Sequence, residues 1–217
     1  MAADTTPRTR YHHGQLRQAL LDATLALVIE QGMSAWSLRD VARRVGVSPA
    51  APFRHFDSKH ALLAAIAEQG MQRFVADIAR EVEAAPAEGR LQAMGVGYLR
   101  WAIANPAQFM VISDRSLFNL AQSPTLLAQS EAVMGQMDAL LQARYGQHPG
   151  FALEQARLMF RAQAYGLARM AVDRHLEEWA IPPEQALEHC LRVLDQFFIL
   201  LPGCGGQTGA RSHALPA

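Results

Sequence analysis

Ser37-Leu38-Arg39-Asp40-Val41-Ala42-Arg43-Arg44-Val45-Gly46-Val47-Ser48-Pro49-Ala50-Ala51-Pro52-Phe53-Arg54-His55-Phe56, residues 37–56, decides how the rest of this chain is read. Leu38, Val41, Ala42 and Val45 recur at i, i+3, i+4 and i+7, one apolar stripe on a short helix. Ser37 is placed to cap that helix, with Asp40 three residues on in the acidic position of a capping box. Gly46 follows the last periodic residue, where a helix end favours φ > 0. Ser48 then reads as a second N-cap and Pro49 as a first helical position. Two short helices joined by a tight turn containing Gly form a helix-turn-helix, whose second helix can enter the DNA major groove. Arg39, Arg43, Arg44, Arg54 and Lys59 add positive charge, against Asp40 and Asp57. The competing reading is a solvated helical hairpin within a larger bundle.

The second short helix is expected over about Pro49 to His55. Pro52 lacks the N–H that would close its first intrahelical bond, so this helix is partly 3₁₀ or starts irregularly. Ala50 and Ala51 are small enough to let the backbone approach base edges and can touch a thymine methyl.

Outward from the motif, residues 14–31 form a preceding helix with the stripe Leu16, Leu20, Ala23, Leu27 and Val28, ended by Gly32. Trp36 is expected as a core anchor of a three-helix unit. Ser58 caps a long helix to about Ala84, with Leu62, Leu63, Ile66, Met71 and Phe74 on its apolar face. About 25 helical residues span roughly 37 Å, enough to link two domains. Further helices are expected at 90–104, 107–113, 124–145, 151–177 and 184–201, separated by Asn105-Pro106, an irregular piece from Asp114 to Asn119, Gly146 to Gly150, and Ile181-Pro182-Pro183. No stretch alternates as a strand does. The organisation expected is a polar tail at 1–10, a DNA-reading domain at 11–60, a helical domain at 61–201, and a Gly-rich tail at 202–217.

The 217 residues carry no net charge, but its distribution is uneven. Residues 1–60 hold eight Arg/Lys against five Asp/Glu; residues 61–201 hold eleven Arg against fifteen Asp/Glu. The basic end is the end with the helix-turn-helix. Arg8, Arg10, His12 and His13 read either as a solvated tail or as an arm reaching phosphates or the minor groove. No run of eighteen apolar residues is present and no apolar segment follows Arg8 and Arg10, so neither a membrane span nor a secretory signal is expected. Two cysteines, Cys190 and Cys204, make no disulfide framework and fit a reducing cytoplasm. His189-Cys190 stands alone; without Cys-x-x-Cys or His-Glu-x-x-His spacing, no metal site or cofactor is expected. There is no G-x-S-x-G and no phosphate loop.

His13-Gly14-Gln15-Leu16-Arg17, Gln31-Gly32, Ser37 to Ala42, Gly46-Val47-Ser48, Phe53-Arg54-His55-Phe56 and Lys59, in this order and spacing, resemble the N-terminal domain of tetracycline-repressor-type (TetR family) regulators. Tyr98 to Pro106 and Gln163 to Ala168 are similar to the C-terminal domain of one branch, in which Trp-His-Gly often stands where this chain has Ala164-Tyr165-Gly166. The resemblance implies an all-α fold: an N-terminal three-helix helix-turn-helix domain joined by a long helix to a ligand-binding and dimerisation domain. It places Ser48, Ala50, Ala51, Phe53, Arg54 and His55 on the turn and recognition helix, with Arg39 and Lys59 directed at phosphates. Phe53 stands where the family often has Tyr, and lacks its phosphate-binding hydroxyl. The expected partners are a double-stranded DNA operator, a small and largely apolar effector, and a second copy of the chain.

For the effector, Trp101, Phe109, Met110, Phe118, Met134, Met137 and Phe160 are candidate pocket walls, and Arg161 and Gln163 candidate polar contacts. Each of the apolar residues also fits ordinary helical core. The helices at 151–177 and 184–201 are the candidate dimer interface, which would set two recognition helices about 34–36 Å apart on a pseudo-palindromic operator. The functional expectation is a repressor released from DNA by its effector. The alternatives are an activator of the same family and, from another class, an all-α small-molecule carrier or enzyme.

Overall fold

A computed structural model describes residues 13–114 and 123–200. The expected arm at 1–10, the stretch 115–119 with Phe118, and the tail at 202–217 lie outside the described residues. Among the described residues there are eight α-helices and no strand: α1 (His13–Gln31), α2 (Leu38–Val45), α3 (Lys59–Ala84), α4 (Arg90–Ala104), α5 (Pro106–Ser113), α6 (Pro124–Tyr145), α7 (Leu153–Val172) and α8 (Pro183–Leu200). Single 3₁₀ turns stand at Pro52–Arg54, Ala87–Gly89 and His175–Trp179.

Two expected helices are shorter than their sequence pattern. The one expected over 49–55 is reduced to the turn Pro52–Arg54. The carbonyl of Ser48, which an α-helix would offer to residue 52, accepts instead from Ala51 N–H at 2.9 Å, because Pro52 has no N–H to give. The helix expected over 151–177 ends at Val172. Arg174 (φ 64°) and Ala180 (φ 59°) adopt left-handed backbone on either side of the turn His175–Trp179, and an α-helix cannot pass through such residues.

The described residues group into two compact units. One comprises those through Arg73 together with those of Asn105–Ser130; the other comprises Phe74–Ala104 and those from Glu131 onward. The division between these units falls inside α3 at residue 73, and α5 goes with the first unit. The reason is packing: α5 contacts α1, and Gly70 of α3 leaves room for Gln108 of α5, whose Cβ would lie 3.3 Å from an added methyl.

In the first unit the apolar stripes meet as the periodicity requires. Leu20, Leu21, Leu27 and Val28 of α1, Leu38, Val41 and Ala42 of α2, and Leu62, Leu63 and Ile66 of α3 are buried, with Trp36 and Phe56. Each large apolar side chain among them contributes about 1.5–3 kcal/mol of burial free energy. Thr24 is buried too, and satisfies its hydroxyl by donating to Leu20 O at 2.8 Å. In the second unit α4 packs against α7 and α8, and α7 against α8. Gly97 brings α4 against α3: a methyl there would lie 3.2 Å from the Ile78 Cα. Phe74 lies edge-on to Trp101 with ring centroids 5.0 Å apart. The bidentate pair Arg157–Asp138, at 2.7 and 2.6 Å, ties α7 to α6.

Candidate nucleic-acid interface

The site starts with the two ends of α2. Ser37 is extended (φ −125°, ψ 166°); its backbone N–H donates to Asp40 Oδ2 at 2.9 Å, and Asp40 N–H points back to Ser37 Oγ at 3.4 Å. This is the capping box anticipated from residues 37 and 40. The Ser37 hydroxyl and backbone N–H, and then the Arg43 guanidinium, hold the Asp40 carboxyl below its ordinary pKa. At the other end Gly46 has φ 77°, ψ 29°, and Val47 N–H reaches back to Ala42 O at 3.0 Å. The chain then turns sharply into Ser48.

After this fixed α2 comes an exposed segment. Ser48, Pro49, Ala50, Phe53 and Arg54 are exposed, Ala51 and His55 half-buried, and Pro52 and Phe56 buried. The buried pair anchors the turn from below. Pro52 O accepts from both His55 N–H and Phe56 N–H at 2.9 Å, and the Arg17 guanidinium lies 5.3 Å from the Phe56 ring centroid. Phe53 leaves about half its surface to solvent.

The five cations of the motif are not equivalent. Arg43 pairs with Asp40 at 2.6 Å. Arg44 forms a fork with Glu30 of α1 at 2.6 and 2.5 Å, which holds the Glu30 carboxyl below its ordinary range and ties α2 to α1. Lys59 turns inward. Its Nζ donates to Trp36 O at 2.9 Å and to Ser34 O at 3.2 Å, and lies 4.0 Å from the Trp36 ring centroid. Burial pushes its ammonium below the ordinary lysine pKa. Arg39 and Arg54 are exposed and have no ion-pair partner among the described residues. The charge count alone does not separate the five: Arg43 is paired within its own helix, whereas the partners of Arg44 and Lys59 lie on α1 and on the connection that follows it.

The effector candidates are divided between the two units. Phe109 and Met110 lie on α5 in the first unit, whereas Trp101, Met134, Met137, Phe160, Arg161 and Gln163 belong to the second. Trp101, Phe109, Met137 and Phe160 are buried, and Arg161 is exposed. The second unit contains a cavity of about 360 Å³ walled chiefly by Leu91, Tyr145, Phe151, Ala156, Phe160 and Phe198, with His148 and Gln155 among its polar groups. Of the candidates among the described residues, only Phe160 lines it. The other walls come from the α6–α7 connection, the first turns of α7 with Gln155, Ala156 and Met159, and the ends of α4, α6 and α8. The clue available was the density of rings around 145–151.

A capped short helix bearing Arg39, a left-handed glycine and an exposed turn bearing Arg54, both arginines without ion-pair partners among the described residues, define a helix-turn-helix DNA-binding regulator. Residues 20–66 match the family described as "Bacterial regulatory proteins, tetR family", and residues 91–194 match "Tetracyclin repressor-like, C-terminal domain". The chain belongs to the TetR family of transcriptional regulators. No curated protein matches the sequence. Among solved structures, a protein of unknown function from Rhodococcus sp. RHA1 is similar at 27% identity, TM-score 0.65, covering 86% of this chain and 96% of its own. The TetR family regulator PfmR from Thermus thermophilus shares the fold at 19% identity and TM-score 0.66, covering 86% and 95%. The fatty acid degradation regulator FadR from Bacillus halodurans does so at 16% identity and TM-score 0.61, covering 85% and 96%. No helix among the described residues is long and apolar enough to cross a membrane.

Proposed function

We propose that this chain is an effector-released repressor, acting as a cytoplasmic homodimer on a pseudo-palindromic operator and catalysing no reaction. The observation that carries the reading is the exposed segment Ser48–His55 held on a rigid α2, with Arg39 and Arg54 beside it and free of ion pairs among the described residues. Arg54 reads a base or holds a phosphate. Arg39 holds a phosphate. Ala50, Ala51 and Phe53 supply apolar contacts, and Ser48 and His55 polar ones. Leu158 and Met159 of α7 and Val193, Ile199 and Leu200 of α8 are exposed apolar side chains, which supports α7 and α8 as the dimer face. The cavity of about 360 Å³, small and ring-lined, suits a compact, largely apolar effector with one hydrogen-bonding group near Tyr145, His148 or Gln155. Such an effector would favour a conformation whose two recognition segments are badly spaced for the operator.

The test is a gel shift with DNA from immediately upstream of the chain's own gene, in excess non-specific competitor. A retarded band containing two protein chains per site is expected. Binding no tighter than to random DNA refutes the operator reading. Repressor and activator separate in a reporter assay on the same DNA. Ala156→Trp, which fills the cavity, should leave the band intact and abolish its release by any effector found in a screen.

A further inference from the structure

We propose that Lys59 is a positioning residue that closes the reading segment on itself, and not a phosphate contact. Three groups occupy its ammonium: Trp36 O at 2.9 Å, Ser34 O at 3.2 Å and the Trp36 ring at 4.0 Å. An ammonium has three N–H donors on one centre, so two carbonyls and a ring face leave little of it for a phosphate. The placement gives the contact its consequence. Trp36 directly precedes the cap residue Ser37, and Lys59 is the first residue of α3. Everything that reads DNA, residues 37–58, therefore lies between the two ends of this one contact.

The carbonyls involved belong to the connection between α1 and α2, where no helix partner serves them. Trp36 is 3% exposed and its indole N–H has no hydrogen-bond partner among the described residues, so the ring serves by packing and by presenting its face to the ammonium. Ser58 strengthens the closure, accepting from Ala61 N–H at 3.0 Å and so fixing the start of α3. The contact holds the start of α2, and with it Arg39, in register with the turn that carries Arg54.

The role in DNA binding rests on the operator reading; the closure itself does not, and the experiment separates them. Lys59→Met keeps the stem and removes the charge. Hydrogen exchange on the free protein, read by mass spectrometry, should show backbone amides of residues 34–58 exchanging about tenfold faster, from the loss of charge-assisted hydrogen bonds and the ring contact. Unchanged exchange overturns the proposal whatever DNA binding does. With upstream DNA, affinity should fall while the slope of log K against log salt stays that of the parent. A slope shallower by about 0.9 shows a lost phosphate contact and overturns it too. If Lys59→Met does not fold, Lys59→Arg decides. Its longer, planar head does not put a donor at the one point where the ammonium meets both carbonyls and the ring, so the closure predicts faster exchange, whereas a phosphate contact predicts parental exchange and parental affinity.

Discussion

The two halves of the 37–56 motif are neighbours in sequence and are built by opposite means. α2 is held by polar chemistry at both ends: a reciprocal Ser37–Asp40 cap in front and a left-handed Gly46 behind. The turn Pro52–Arg54 has no side-chain cap. It is held by two buried side chains, Pro52 and Phe56, and by a proline that prevents the helix from growing backward. The charges divide less cleanly. Arg43 and Arg44, on α2, are tied to carboxylates, whereas Arg39, also on α2, and Arg54, on the turn, have no ion pair among the described residues. One half is a bracket and the other is the face it presents. Few hydrogen-bonding side chains stand on that face, so under the proposed function base readout would lean on Arg54, His55, methyl contacts and the spacing between two copies.

Damage to the two halves should therefore register in different measurements. The largest effect is expected for Arg54→Ala. Operator affinity should drop by about 1–3 kcal/mol if Arg54 reads a base, with non-specific affinity and urea stability nearly unchanged. An equal loss on both DNAs would make it a phosphate contact. Gly46→Ala comes next. Forcing a Cβ into φ 77° should cost about 1–2 kcal/mol of stability by urea unfolding, although nothing lies within 4 Å of the added methyl. A stability loss also seen for Arg54→Ala would erase the distinction between bracket and face. Ser37→Ala should cost about 1 kcal/mol by the same measurement. The smallest effect is expected in acid. Asp40 and Glu30 titrate below their ordinary values of 3.8 and 4.5 when folded. Their contribution is therefore present above those values and is lost as pH falls through the depressed ones. Circular dichroism melts across that range should show Tm falling with pH, and the fall should be shallower in a Glu30→Gln, Asp40→Asn double variant. Parallel curves would mean that the two carboxylates are not part of what holds α2.

The helices were legible because their signals are local. Ser37 and Asp40 are three apart, Gly46 follows Val45, and Ser58 and Ser123 sit where α3 and α6 need caps. Pro52 likewise announced an irregular third helix. The pocket candidates were less legible. Trp101, Phe109, Met137 and Phe160 are all buried, yet of these only Phe160 lines the cavity described, since a buried apolar side chain looks the same in sequence whether it faces a cavity or a neighbouring helix.

The sequence by itself determined the all-α fold, the family, and the bracket around Gly46, because periodicity, caps and a left-handed glycine act over a few residues. Only the tertiary structure decided which cations already have partners within the chain. Arg44 meets Glu30 across 14 positions, and Lys59 meets Trp36 and Ser34 across 23 and 25. A charge is committed or free according to what the folded chain brings within hydrogen-bond distance of it, and no local pattern records that.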